Sequence, residues 1–319
     1  MSLVKRVSAK FEGSKAALSL LGVSLIALAG NGVPAQAAFK SITTCNPTLA
    51  VSSGGSLINA SGDYQLTSNL TQATVNTDCI LITASNVSLK LNGYQITGPG
   101  GSFGTAAGID VNPPSGPVNH VAIQGPGLIQ DFSTGIALIY ADFSQVDLVT
   151  AANNSAEGIL GFNVTSLTVG SNVLVRNGEW GLLLNVSNGG TIQYNEVNGN
   201  GAVSAGSGGG IYLGGGSNAN TVNNNTASGN GQQFGSVTVA AGIFVFADGN
   251  RVYGNSTDGN VLAGIQVASG ATGNGIFNNT SVGNGMNDLE DDNTGCDSNV
   301  WSGNNFFTSN QPCVLRHVA

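Results

Sequence analysis

Charge is scarce in this chain: only 8% of its 319 residues are Asp, Glu, Lys or Arg, and nine basic residues face seventeen acidic ones. Beyond residue 37 the imbalance sharpens to five basic residues (Lys40, Lys90, Arg176, Arg251, Arg316) against sixteen acidic, a net charge of −11. Phosphate binding needs a basic footprint, so this composition speaks against nucleic acid as a partner. Histidines number two, and no His/Cys cluster has ligand spacing, so no transition-metal site is expected. Long apolar runs are missing save one, from Ala16 to Ala29. It follows Lys5, Arg6, Lys10 and Lys15, precedes the small-x-small triplet Ala35-Gln36-Ala37, and is shorter than the roughly 20 residues a membrane span needs. Residues 1–37 are therefore read as a signal peptide cleaved after Ala37. The expected product is secreted or periplasmic, with no membrane span.

What remains is rich in glycine, with 48 in the whole chain, and it repeats. Gly followed by an aliphatic recurs at Gly108-Ile109, Gly135-Ile136, Gly158-Ile159, Gly181-Leu182, Gly210-Ile211, Gly242-Ile243 and Gly264-Ile265, continued by Asp288-Leu289. The period is close to 23 residues, with two longer steps created by insertions at 201–209 and 231–241. Between these anchors an aliphatic is followed by Asn three residues on and again five further, as in Val169, Asn172, Asn177 and Val222, Asn225, Asn230. Alternating residues within each short segment give a strand period, and no candidate helix exceeds a turn or two. These features predict an all-β fold, a single parallel β-helix (solenoid) of about eight or nine coils. Crossovers between parallel strands are overwhelmingly right-handed, which sets the expected hand. Stacked amides would bond from coil to coil in two asparagine ladders, at the roughly 4.8 Å spacing of neighbouring strands. Asparagine also tolerates the left-handed backbone of a sharp corner.

Four cysteines fall in two pairs near the ends, Cys45 with Cys79 and Cys296 with Cys313. The other two connectivities would tie coils at opposite ends of a rod, so these pairs are the expected disulfides, stapling coils that lack a neighbour on one side. The expected organisation is an N-terminal cap and first coil over 38–78, repeats over 79–295 and a C-terminal cap over 296–319.

The segments NVSLKLNGYQITG (86–98), the NNTASGNG-type coils and GCDSNVWSGNNFFTSNQPC (295–313) resemble the bacterial right-handed parallel β-helix repeat proteins of the pectate-lyase-like superfamily. The resemblance implies architecture, not activity, because that fold carries lyases, hydrolases, epimerases, adhesins and non-enzymes. The polygalacturonase-like set is incomplete: Asp291-Asp292 is present, but Gly-His-Gly and Arg-x-Lys are absent. The pectate-lyase and alginate-epimerase patterns are not intact either.

Two regions could carry chemistry. Beside the first strand of each coil, Asp131, Glu157, Arg176, Glu179 and Trp180 come together across successive coils; Glu157, Arg176 and Glu179 are the candidate catalytic residues, since paired carboxylates can divide acid and base roles and an arginine can bind a uronate. On the strand itself the outward positions include Phe162, Tyr212, Phe244 and Phe246, an apolar face where a solvated strand should be polar. With Asp131 and Trp180 these rings form the candidate substrate-binding set, because aromatic rings stack on sugar faces. No cofactor is expected, although Glu290, Asp291 and Asp292 would admit Ca2+ if they converged. The expected partner is a polysaccharide, bound and conceivably cleaved or epimerised. The alternative is a non-catalytic structural or adhesive surface protein, with the apolar face joining homo-oligomers.

Overall fold

A computed structural model describes residues 38–100, 105–201, 208–231 and 240–314. The expected signal peptide lies outside the described residues, as do most of the two insertions. Among the described residues no helix is long and apolar enough to cross a membrane.

The chain winds through parallel strands. One coil runs along Ile159–Phe162, turns into Thr168–Gly170, bends into Val173–Val175 and returns as Trp180–Asn185 beside the strand where it began. The first of these strands belongs to a ten-stranded sheet, and the next two belong to an eighteen-stranded sheet that folds around the other two sides. The anchors stack in register as Ile109, Ile136, Ile159, Leu182, Ile211, Ile243, Ile265 and Leu289, all with no exposed surface. Two further coils precede them, through Ile80–Ile82 and Leu57–Ile58. Both lack the Gly-aliphatic pair that marks the others in the sequence.

The anchoring glycines are explained by what lies under them. A Cβ at Gly158 would stand 2.8 Å from the Asn177 amide nitrogen and 2.6 Å from the Gly181 carbonyl oxygen, and one at Gly181 would stand 2.8 Å from the Asn200 amide nitrogen. Each glycine thus leaves room for the asparagine that closes the following corner.

Asparagine columns line all three corners. One runs Asn172, Asn195, Asn225, Asn255, Asn279, Asn304, and a second runs Asn154, Asn177, Asn200, Asn230, Asn260, Asn284. The third, which the sequence reading missed, runs Asn220, Asn250, Asn274, Asn299, each five residues before a member of the first column. The ladder residue is not the one with the left-handed backbone. That conformation belongs to its predecessor, such as Ser171, Tyr194 or Asn224 at φ near 55°. The predecessor reverses the chain with its side chain outside, and the asparagine then points inward.

Disulfides join Cys45 to Cys79 and Cys296 to Cys313, with Cα–Cα distances of 4.4 and 5.9 Å. At the C-terminal end two carboxylates terminate the columns. Asn284 donates to Asp288 Oδ1 at 3.0 Å, and Asn299 donates to Asp291 Oδ2 at 3.2 Å. Asp291 also accepts the Trp301 indole at 2.8 Å and is fully buried.

This burial also decides how the acidic run 290–292 is placed. Strand alternation turns Asp291 into the interior while Glu290 and Asp292 face out, where Asp292 accepts from Gln266 at 2.9 Å. The three carboxylates do not converge, and among the described residues no His, Cys, Asp and Glu group of three or more could hold a metal.

Candidate functional site

The outer face of the ten-stranded sheet carries side chains from two positions flanking each buried anchor. The position after the anchor gives Leu81, Asp110, Ala137, Leu160, Leu183, Tyr212, Phe244 and Gln266 in direct register. Two positions before successive anchors stand Asp78, Ala107, Thr134, Glu157 and Trp180, with Thr134 opposite Ala107 and Trp180 opposite Gly209. Beyond both, Ile139, Phe162 and Asn185 pair across successive coils, and Phe246 holds the corresponding place two coils further on.

This face has two characters. Toward the C-terminal coils the rings stack on one another: Trp180 lies 4.9 Å from Tyr212, Tyr212 lies 5.5 Å from Phe244 at 6° between planes, and Phe244 lies 6.3 Å from Phe246. Trp180 and Phe244 are buried, Tyr212 is half-buried, and Phe246 is 49% exposed. Because neighbouring rings cover each other's faces, most present edges outward, and Phe246 offers the largest open surface of the four.

Toward the N-terminal coils lies a polar cleft of about 220 Å³. Asp78, Asp110, Asn112 and Thr134 line it with Asn76 and Thr105, above an apolar wall of Ala137, Ile139 and Leu160. Asp110 is only 8% exposed, and its Oδ1 has no hydrogen-bond partner. Burial, followed by the charge of Asp78, pushes its pKa up to about 7 against the opposing hydrogen bond from Asn112. Burial also raises Asp78, although Ala107 N–H donates to its Oδ1 at 2.7 Å. Thr134 extends the cleft to the next coil by donating to Glu157 Oε2 at 3.0 Å. Glu157 is raised by burial, with the Glu179 charge adding to the shift against the Thr134 hydrogen bond.

Of the expected catalytic trio, Glu157 and Glu179 interact electrostatically and Arg176 is engaged at the corner. Glu157 sits on the face. Arg176 stands at the corner, exposed, with its Nε on Asn153 Oδ1 at 3.0 Å, in one column with Asn153 and Asp131. Glu179 lies at the edge between them, half-buried and raised by burial. Sequence reasoning named none of Asp78, Asp110 and Thr134 among the site residues. The available signal was a charged residue, Asp110, between two buried aliphatics, Ile109 and Val111.

Residues 128–283 match the family model described as right handed beta helix region. No curated protein sequence matches the chain. Among solved structures it is similar to PfbA, a surface adhesin of Streptococcus pneumoniae, at 14% identity and a TM-score of 0.56, over 78% of this chain and 62% of that one. It is also similar to the Dettilon tailspike protein, at 16% identity and a TM-score of 0.51, over 85% of this chain and about half (53%) of the tailspike. A third is DFA-IIIase from Arthrobacter chlorophenolicus A6 in complex with GF2, at 14% identity and a TM-score of 0.50, over 77% and 67% of the two chains. Identities this low speak for the fold alone. The chain folds as a right-handed parallel β-helix.

Proposed function

We propose that this protein binds, and processes, a polysaccharide along the outer face of the ten-stranded sheet, outside the cytoplasm. The observation that carries the reading is the arrangement of that face: a polar cleft and a ring stack lie end to end along the axis of the coils, a shape suited to a linear chain. Two disulfides support a location in an oxidising compartment. Asp131, Phe162, Trp180, Tyr212, Phe244 and Phe246 remain the candidate contacts, with Glu157, Arg176 and Glu179 beside them.

Affinity electrophoresis and array binding on neutral and uronate polysaccharides test this. Binding is expected, and Phe246→Ala is expected to weaken it about tenfold, roughly 1.4 kcal/mol. No binding to any polymer would remove the reading.

The adhesive alternative is favoured by one observation, the 49% exposure of Phe246 on an apolar face. It requires Phe246→Asp to change the elution volume in size exclusion while glycan binding stays as in the wild type.

A further inference from the structure

Asp110 occupies a position that a structural residue would have no reason to hold. Its strand neighbours Ile109 and Val111 face the core with no exposed surface, whereas Asp110 points into the cleft with one oxygen unpartnered. A buried polar atom without a partner is destabilising, and a ligand oxygen or hydroxyl in the cleft would supply the missing partner. Asp78, on the preceding coil, is fixed as an acceptor by the Ala107 N–H at 2.7 Å. Among the described residues the cleft lining contains no Lys, Arg or His, so an anionic sugar would find no counter-charge from them. Asn76, Thr105, Asn112 and Thr134 instead supply uncharged polar groups of the kind that bond hydroxyls.

We propose that the cleft at Asp78 and Asp110 is a hydrolytic site for a neutral polysaccharide, with Asp110 as the proton donor and Asp78 as the base. The proposal rests on the polysaccharide reading above and adds to it the sugar class and the chemistry. Asp110 gives its proton to the glycosidic oxygen as the bond from that oxygen to the anomeric carbon breaks. Asp78 takes a proton from a water molecule whose oxygen forms the new bond to that carbon. One water is consumed and two hydroxyl ends appear. Asp110 then regains a proton from solvent, and Asp78 releases one. An acid held near neutral pH by burial beside a second carboxylate is suited to this division of roles. Asp78 is the charged group facing Asp110 from the preceding coil. From the following coil come Thr134 and Ala137, which do not titrate, and Glu157 stands one coil further on.

The test incubates the purified protein with β-1,3-glucan, β-1,4-glucan, α-1,6-glucan, galactomannan, polygalacturonate and alginate. Binding, reducing ends and unsaturated ends are measured in parallel. The expected result is binding of a neutral polymer with new reducing ends and no unsaturated ends, at a rate that falls as pH rises above about 7. Asp110→Asn and Asp78→Asn should each lower that rate at least about a hundredfold in protein that circular dichroism shows to be folded. Carboxyl carbon NMR supplies a readout independent of turnover: Asp78→Asn should lower the Asp110 titration midpoint, because a repelling charge is removed. Binding of a neutral polymer without new reducing ends overturns the hydrolytic site and leaves the polysaccharide reading standing. Absence of all binding overturns both. Cleavage of the uronates alone, turnover untouched by both variants, or an unmoved Asp110 midpoint also overturns the proposal.

Discussion

An asparagine inside a corner column uses its whole amide. Asn225 donates to Asn255 Oδ1 at 3.0 Å and to the Ile192 carbonyl at 2.9 Å, while its own oxygen accepts both the side-chain and the backbone N–H of Asn195, each at 2.9 Å. Asn225→Ala therefore leaves partners on two coils unpaired, at a cost of about 1 to 3 kcal/mol. A drop in melting midpoint is expected, and an unchanged midpoint would show that the column adds nothing. Asp288 ends one column and shows a different sensitivity. Burial pushes its pKa up, but the N–H groups of Asn284, Phe307 and Thr308, together with the Asn284 amide, outweigh that and hold it below the ordinary carboxylate value. A folded-state pKa below the unfolded one stabilises fully above the unfolded value, near pH 4, and that contribution fades as pH falls through the lowered value. Asp288→Ala should thus destabilise the protein at pH 7. The gap between the melting midpoints of variant and wild type should narrow as pH drops from about 4 toward 2.

At the scale of the element, glycine acts by two unrelated means. A Cβ at Gly181 would meet Val197 at 2.4 Å and the Asn200 amide at 2.8 Å, so Gly181→Ala overfills a packed corner, a change that typically costs about 1 to 3 kcal/mol. Gly199 has open space around its Cα and a φ of 63°, and its column mates Asn153 and Arg176 hold nearly the same φ with side chains attached. Gly199→Asn should leave the denaturation midpoint nearly unchanged. Equal effects of the two substitutions would contradict the packing argument. The contrast also shows why the winding was legible in the sequence. Gly181-Leu182 and Asn200 recur because a close approach demands them in every coil, and a demand repeated every coil appears as a period. The third asparagine column was harder to see, because strand register gives its earlier places to Ser144, Leu167 and Gly190, and asparagine enters only at Asn220. The cleft left no period at all. Asp78 and Asp110 belong to coils separated by an irregular step, and their approach depends on strand register between Ile80–Ile82 and Ala107–Val111. Coil register grouped Glu157, Arg176 and Glu179. Arg176 instead sits at the corner on Asn153, while Glu157 and Glu179 stay near enough for the Glu179 charge to raise Glu157.

At the scale of the molecule, stability is local to neighbouring coils, since each strand pairs only with the coil before and the coil after. The disulfides sit where a neighbour is missing. Replacing Cys45 and Cys79 together with serine should cost about 2 to 5 kcal/mol, the usual range for loss of a native bridge. In hydrogen exchange the loss of protection should be concentrated in the strands Gly62–Leu66 and Ile80–Ile82, with the central coils little affected. Uniform loss of protection along the chain would show a single cooperative unit instead.

The asparagine columns have a direction. In the first two columns the amides from Asn172 to Asn279 and from Asn154 to Asn260 each donate to the asparagine of the following coil, so these two columns share one direction and need an acceptor at the far end, whereas Asn250 Nδ2 interrupts the third. Carboxylates can only accept, and Asp288 and Asp291 close the second and third columns. A second copy stacked beneath the last coil would meet oxygens already engaged from within. An acceptor already engaged from within gives a further asparagine coil nothing to continue, so at the two columns that Asp288 and Asp291 close the carboxylate acts as a stop signal for stacking.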